Sequence, residues 1–318
     1  MQRRTFLTMP AAALLGQQGW PGFYRKVDRV TWVTPDTRAT AAAWAELGAR
    51  VLTTYPAADL AGEKVQVTVA YFGSLVIDWI QPLGGRGLFA EYLERHRGPG
   101  IMGLMHNVPT GEALKAEVAR LGAAGVKPRL AGVFSAGEAT VECAFMDTAE
   151  RGKYTLGLVV APDYEMDPGP PERRVAQFAF IASKPEPVSA FWASLGWPEF
   201  TYTEVVSRDP VYRGKPGVFG MRLGWQRHGP VPFEWIQPLM GPSAYHDYLG
   251  KFGEGFHHLA FNVADMDRAI EEWRGLGYEM TMAGAWGEKD KSGSGRFAYF
   301  DVSRDGGVEV ELLWNYRG

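Results

Sequence analysis

The chain has 318 residues, which is long enough for two domains that each bury a hydrophobic core. Hydrophobic residues make up 46% of it and charged residues 22%, and the net charge of −3 gives no electrostatic basis for binding nucleic acid. The single cysteine, Cys143, excludes an intramolecular disulfide and a cysteine-rich zinc site. We therefore expect a globular protein whose partner is a small-molecule substrate and not a nucleic acid.

The first twenty residues contain a basic pair followed by a short apolar stretch. The pair Arg3-Arg4 precedes a short apolar stretch, residues 7–16. This order resembles a twin-arginine export signal, and the stretch is shorter than the roughly 20 residues of a membrane-spanning helix. We expect residues 1–20 to direct export to the periplasm and the mature protein to have no membrane contact. The alternative is a disordered start on a cytoplasmic protein.

A helix-like pattern that ends in Leu-Gly occurs four times along the chain. The copies are residues 41–48, 114–122, 188–196 and 269–277. Each has apolar residues at helical spacing, and the glycine suits the left-handed residue that closes a helix. A strand-like run precedes each copy and further β-branched or alternating runs follow, so each module is predicted to be β-α-β-β-β.

A longer repeat joins these modules in pairs. Residues 78–83 (DWIQPL) return as residues 234–239 (EWIQPL), and residues 144–147 (AFMD) return as residues 298–301 (AYFD). A module this small must pair with another to cover both faces of its sheet. The prediction is an α+β fold in which four βαβββ modules form two tandem domains, so that a monomer is an internal pseudo-dimer; a homodimer is the other option.

The boundary between the two copies is marked by composition. Residues 161–174 (APDYEMDPGPPERR) have three prolines and a glycine in succession, which is typical of a linker. We accordingly expect one domain over residues 25–160 and a second over residues 175–318.

Three strands of the second domain carry acid or imidazole groups in otherwise apolar runs. The pair His257-His258 opens one strand, Glu234 lies in another, and Glu311 lies in the last. Burying such groups is costly unless they are paired or bind a metal. One divalent cation would offset all three costs, so the pattern favours a metal site.

Residues 253–261 (GEGFHHLAF), followed by Asp265, resemble methylmalonyl-CoA epimerases and, more broadly, the glyoxalase I and vicinal-oxygen-chelate superfamily. In that superfamily each module supplies one ligand from its first strand and one from its last. The resemblance implies that Gln177, Glu234, His258 and Glu311 bind one divalent ion, either Zn, Ni, Co or Mn. Adjacent residues of a strand face opposite ways, so His257 is expected to point away from the metal.

The same comparison implies that the N-terminal domain is degenerate. Its corresponding residues are Arg29, Asp78, Gly103 and Gly157. One acid without an imidazole cannot hold a catalytic divalent ion, and Arg29 would repel it. We expect this domain to keep the fold without the metal.

The implied function is that of a metal-dependent isomerase, epimerase or lyase that transfers a proton next to a carbonyl group. Glu311 is the expected base and Glu204 a second candidate. One alternative is an Fe(II) dioxygenase, which would use two histidines and one carboxylate. Another is a non-catalytic small-molecule binding protein. The Gly- and Ser-rich residues 287–296 predict a mobile loop at the mouth of the pocket.

Overall fold

A computed structural model describes residues 20–162 and 174–316 of the chain. All of the predicted export signal except Trp20, and most of the predicted linker, lie outside these residues. Within the described ranges, no helix is long and apolar enough to cross a membrane.

The N-terminal half begins with a short 3-10 helix, Gly22–Arg25, and continues with eight strands and four helices. In chain order they are β1 Arg29–Val33, α1 Thr37–Glu46, β2 Arg50–Leu60, β3 Glu63–Phe72, β4 Leu75–Pro82, α2 Leu88–His96, β5 Gly100–Asn107, α3 Gly111–Ala123, β6 Pro128–Ala136, β7 Ala139–Met146, α4 Ala149–Gly152 and β8 Thr155–Val160. The strands close into a barrel in the order β1-β4-β3-β2-β6-β7-β8-β5. Closure depends on a short pairing of β2 with β6, in which Leu60 lies beside Phe134.

The C-terminal half repeats this order with one insertion. Its elements are β9 Val175–Ile181, α5 Pro185–Ser194, β10 Thr201–Val206, β11 Arg208–Tyr212, β12 Lys215–Pro216, β13 Gly220–Gln226, β14 Phe233–Met240, α6 Ala244–Phe252, β15 Gly255–Asn262, α7 Met266–Gly275, β16 Glu279–Trp286, β17 Gly295–Asp301, α8 Ser303–Gly306 and β18 Glu309–Asn315. Strands β10 and β11 together take the place of β2: β10 pairs with β13 as β2 pairs with β3, and β11 pairs with β16 as β2 pairs with β6. The two-residue strand β12 is the insertion. The result is a curled ten-stranded sheet with β10 at one edge and β12 at the other.

Three of the four predicted helix-closing glycines have the expected left-handed backbone. Gly48, Gly196 and Gly277 have φ angles of 103°, 101° and 81°. The prediction is wrong for Gly122, which lies inside α3; that helix runs on to Ala123, and Gly125 takes the positive φ. The helix extends one residue past Gly122 because Ala123 and Ala124 follow it, and alanine favours helix.

One large apolar core joins the two halves. It contains Phe72 from the first half and Phe261 from the second, whose rings lie 5.0 Å apart. Two matching contacts flank it: the Trp32 indole donates a hydrogen bond to the Gly306 carbonyl at 2.6 Å, and the Trp192 indole donates to that of Gly152 at 3.1 Å. A side chain at either glycine would collide with the tryptophan ring, so both positions require glycine. The duplication seen in the sequence is therefore a structural pseudo-symmetry.

Candidate metal centre

Strand pairing aligns the predicted ligands on the concave face of the C-terminal sheet. Gln177 on β9 lies beside Ala260 on β15, which in turn lies beside Glu311 on β18. One pleat away, Ala179 is flanked by His258 and Glu234. Since these positions alternate with the residues that fill the core between the halves, all four predicted side chains point into the same concave space.

Three of the four predicted ligands form a tight buried cluster. Their candidate ligand atoms lie within 4.8 Å of one another. His258 Nε2 is 3.2 Å from Glu311 Oε2 and 3.7 Å from Glu234 Oε2, and none of the three side chains is more than 8% exposed. Gln177, on the neighbouring strand, is half-buried.

The ligand atoms of this cluster are poorly satisfied by the protein itself. Within the described part of the chain, Gln177 Oε1, His258 Nε2 and Glu311 Oε2 are buried without a hydrogen-bond partner. Buried polar atoms are nearly always paired, and several unpaired acceptors close together are what a cation would satisfy. An amide oxygen, an imidazole nitrogen and two carboxylates suit a borderline divalent ion such as Zn²⁺, Ni²⁺, Co²⁺ or Mn²⁺.

In the absence of metal, burial shifts the pKa values of the cluster side chains toward their neutral forms. It raises the pKa of Glu311 to about 8, and it raises the pKa of Glu234 well above its ordinary value, with the nearby Glu311 charge adding to the effect. Burial also lowers the pKa of His258 to about 3. At neutral pH the short His258–Glu311 contact is therefore between largely neutral groups, and the ionised carboxylates that a metal needs become favourable only with a cation beside them.

The expected orientation of His257 is wrong. Its Nδ1 atom lies 2.7 Å from Nδ1 of His258, and its ring packs against Tyr248 and Tyr245 on the concave side. The cause is a shift in the pairing register between Phe256 and His258, which breaks the strict alternation of the strand. If His258 Nε2 is a ligand, its Nδ1–H donates to His257, so His257 sets the tautomer and orientation of the ligand.

A tyrosine pair behind Glu311 was not anticipated from the sequence. The Tyr245 hydroxyl donates to the Tyr299 hydroxyl at 2.9 Å, and a hydrogen bond from Tyr299 partly offsets the burial that raises the pKa of Glu311. The repeat contained the signal: Tyr299 in the block AYFD corresponds to Phe145 in AFMD. The hydroxyl is present only in the half that carries the acid.

In the N-terminal half, the strand positions that correspond to the metal ligands pair in the same way but carry different residue types. Arg29 lies beside Met105, which lies beside Gly157, as Gln177, Ala260 and Glu311 do in the other half. Arg29 is buried and its NH1 lies 3.5 Å from Asp78 Oδ2. A side chain at Gly157 would collide with Met105, so an acid could not replace this glycine without repacking.

The second candidate base lies away from this cluster. Glu204 is exposed on β10, and its neighbour Val205 is the residue that packs into the concave core. Of the predicted loop, residues 287–294 form the turn between β16 and β17, and residues 295 and 296 already belong to β17. The Gly287 carbonyl accepts a hydrogen bond from Arg208. The structure thus brings together Glu234, His258 and Glu311 and leaves Glu204 outside.

Comparison with known proteins agrees with this architecture. The sequence model described as the Glyoxalase/Bleomycin resistance protein/Dioxygenase superfamily matches residues 176–300. No curated protein matches the chain.

Solved structures match over both halves. A mutant 4-hydroxymandelate synthase from Streptomyces coelicolor is 18% identical, with a TM-score of 0.59 over 92% of this chain and 94% of its own. The Mn(II)-bound glyoxalase from Novosphingobium aromaticivorans is 15% identical, with a TM-score of 0.50 over 92% of this chain and 83% of its own. At such identities the likeness shows the fold alone. It confirms the predicted α+β class of two tandem domains built from four modules.

Proposed function

Because residues 176–300 match the model of the Glyoxalase/Bleomycin resistance protein/Dioxygenase superfamily, we propose that the chain is a divalent-metal-dependent isomerase, epimerase or lyase. The substrate is a small oxygenated molecule, and the reaction moves a proton next to its carbonyl group. The observation that supports this most directly is the buried cluster of Glu234, His258 and Glu311 with its unsatisfied ligand atoms. A bound divalent ion supplies a Lewis acid that stabilises negative charge on substrate oxygens.

Glu311 is the proposed base. Its pKa of about 8 in the buried site means that the carboxyl group can hold a proton near neutral pH, and a nearby cation or substrate would adjust that affinity. Tyr299 orients the carboxylate through its hydroxyl, which leaves Oε2 directed at the cluster. A base held in one orientation by a second hydrogen bond is the arrangement that proton transfer requires.

A dioxygenase is the second candidate, favoured by the likeness to 4-hydroxymandelate synthase over nearly the whole of both chains. Fe(II) oxygenases of this kind of site use two histidines and one carboxylate. Here the cluster combines one imidazole with two carboxylates, and an amide stands at the fourth position. This donor set favours proton transfer over oxygen activation.

Metal analysis followed by isotope exchange tests the proposal. We expect about one divalent ion per purified chain. The metal-loaded enzyme should then incorporate solvent deuterium into a responsive 2-oxo acid, α-hydroxy carbonyl compound or keto sugar. Glu311→Gln should lower the exchange rate by about 100-fold or more. Glu204→Gln is the matched control and should exchange at the wild-type rate.

One result would decide against proton transfer, and another would decide against Glu311 as the base. Oxygen consumption that depends on Fe(II) and the same substrates, without exchange under anaerobic conditions, would support the dioxygenase. Exchange at the wild-type rate in Glu311→Gln and a loss in Glu204→Gln would transfer the role of base to Glu204.

We also propose that the protein is exported through the Arg3-Arg4 signal. If so, the substrate is not a coenzyme A thioester, since these are confined to the cytoplasm. Mass spectrometry of the protein from cells with and without a twin-arginine translocase measures this directly. A full-length cytoplasmic product in both strains would contradict export.

A further inference from the structure

The barrel of the N-terminal half encloses a cavity of about 450 Å³. Its walls are mostly apolar and come from strands on several sides of the barrel; they include Leu60, Val67, Ile80, Phe134, Val141 and Phe145. Small-molecule sites typically have this volume and this combination of apolar walls with a few polar groups. The metal ligands of the other half are replaced here, so any occupant is held by different chemistry.

Two polar side chains of this cavity, Arg29 and Asp78, stand where the other half has metal ligands. Arg29 NH1 lies 3.5 Å from Asp78 Oδ2, and Arg29 Nε donates to Asp28 Oδ2 at 2.8 Å. Asp78 Oδ1 is buried and, in the described part of the chain, accepts no hydrogen bond. A buried carboxylate oxygen at the wall of a cavity is an acceptor that a ligand donor can satisfy.

The charge balance around the cavity argues against an anionic ligand. Arg29 is the only basic residue among the described residues that line it, and two aspartates flank its guanidinium group. Glu138, which is exposed, also lines the cavity. The summed charge is thus neutral or negative, and a carboxylate or phosphate would gain little from entering.

We propose that this barrel is a second ligand site, which binds an uncharged, largely apolar alcohol, phenol or amide whose O–H or N–H donates to Asp78 Oδ1. The walls contribute burial of the apolar body, and Asp78 selects for the donor. The half-buried rings of Tyr55 and Phe134, 5.3 Å apart, both line the cavity and offer an aromatic ligand a stacking surface. The site is independent of the metal and of the reaction proposed for the other half.

Fluorescence titration of the full-length, metal-free protein with 1-naphthol tests this site at pH 7. Naphthalene, which lacks the donor, and 1-naphthoate, which is an anion, are the matched probes. We expect saturable binding of 1-naphthol, at least about fivefold tighter than that of either probe. Asp78→Asn should weaken 1-naphthol binding by about tenfold and leave naphthalene binding unchanged. Glu234→Gln, at the equivalent position of the other half, should change neither.

Variants whose larger side chains fill the cavity test whether 1-naphthol binds inside it. Val67→Phe and Val141→Trp enlarge residues on two different strands, and we expect each to reduce 1-naphthol binding by at least tenfold while near-ultraviolet circular dichroism shows a folded protein. Unchanged binding in both folded variants would overturn the proposal, as would the absence of saturable binding. Tighter binding of 1-naphthoate than of 1-naphthol would overturn the choice of an uncharged ligand. Should neither filled variant fold, Asp78→Asn with the naphthalene comparison still decides the matter.

Discussion

Replacing Glu311 by glutamine should stabilise the metal-free protein at alkaline pH and reduce the stabilisation that a bound metal adds. In the metal-free protein, burial raises the pKa of this carboxyl group from 4.5 to about 8, so the unfolded chain releases a proton that the folded chain retains. The native state then binds more protons than the unfolded state between these two values, and stability falls as the pH rises through that window. By linkage, the raised pKa destabilises the metal-free protein by about 4–5 kcal/mol at pH 8.5 and by less than about 1 kcal/mol at pH 5.

Glutamine has nearly the size of the protonated acid and cannot ionise. Without metal, Glu311→Gln should match the wild type at pH 5 within about 1 kcal/mol and exceed it by about 2–4 kcal/mol at pH 8.5. With metal at 1,000 times its dissociation constant the wild type gains about 4 kcal/mol. The variant gains about 1–2 kcal/mol less, because its amide is a weaker ligand than a carboxylate.

Urea unfolding of the wild type and of Glu311→Gln at pH 5 and pH 8.5, in a chelator and with Zn²⁺ or Mn²⁺, measures the free energy of unfolding under each condition. Glu309→Gln is the matched control: burial also raises the pKa of Glu309 to about 8, but this side chain accepts a hydrogen bond from Thr281 at 2.7 Å. Metal should stabilise this control as much as the wild type. A metal-free Glu311→Gln variant less stable than the wild type at pH 8.5, or equal stabilisation of the two proteins by metal, would refute this role of Glu311.

Three further predictions concern other side chains. His258→Ala should abolish metal binding measured by calorimetry, whereas His257→Ala should weaken it by about 10- to 100-fold because the hydrogen bond to the ligand is lost; no effect of His257→Ala would contradict its positioning role. Burial lowers the pKa of His106 to about 4 and that of His228 to about 3, so both stay neutral in the fold while the unfolded chain binds protons below pH 6.5. The free energy of unfolding should therefore decrease as the pH is lowered below 6.5, by about 2–3 kcal/mol per histidine at pH 4.5. Replacing either histidine by glutamine should make the free energy of unfolding depend less on pH in this range. Shortening the turn at residues 287–294 should impair turnover more than the thermal midpoint if the turn covers the substrate, and equal activity would rule out that role.

Parts of the site were predictable because they depend on local sequence. An acid or imidazole in an apolar strand is anomalous whatever the fold, since burial of a charge is costly in any protein interior. Glu234, Glu311 and the pair His257-His258 could therefore be selected before their distances were known, and the family resemblance identified His258 as the ligand of the pair. The duplication aligned Glu234, His258 and Glu311 with Asp78, Gly103 and Gly157. The repeated blocks also determined the modular architecture.

Other features depended on how strands pair, which no single segment encodes. The register shift beside His257 turned its ring toward its neighbour, and pairing of β17 with β18 brought Tyr299 beside Glu311. Alternation along β10 turns Val205 toward the concave core and leaves Glu204 exposed, away from the metal cluster. Likewise the cavity around Asp78 exists only because the first sheet closes into a barrel. Residue types and repeats are properties of the sequence itself, whereas bulges, cross-strand neighbours and cavities arise from contacts between segments far apart in the chain, and only the tertiary structure decides them.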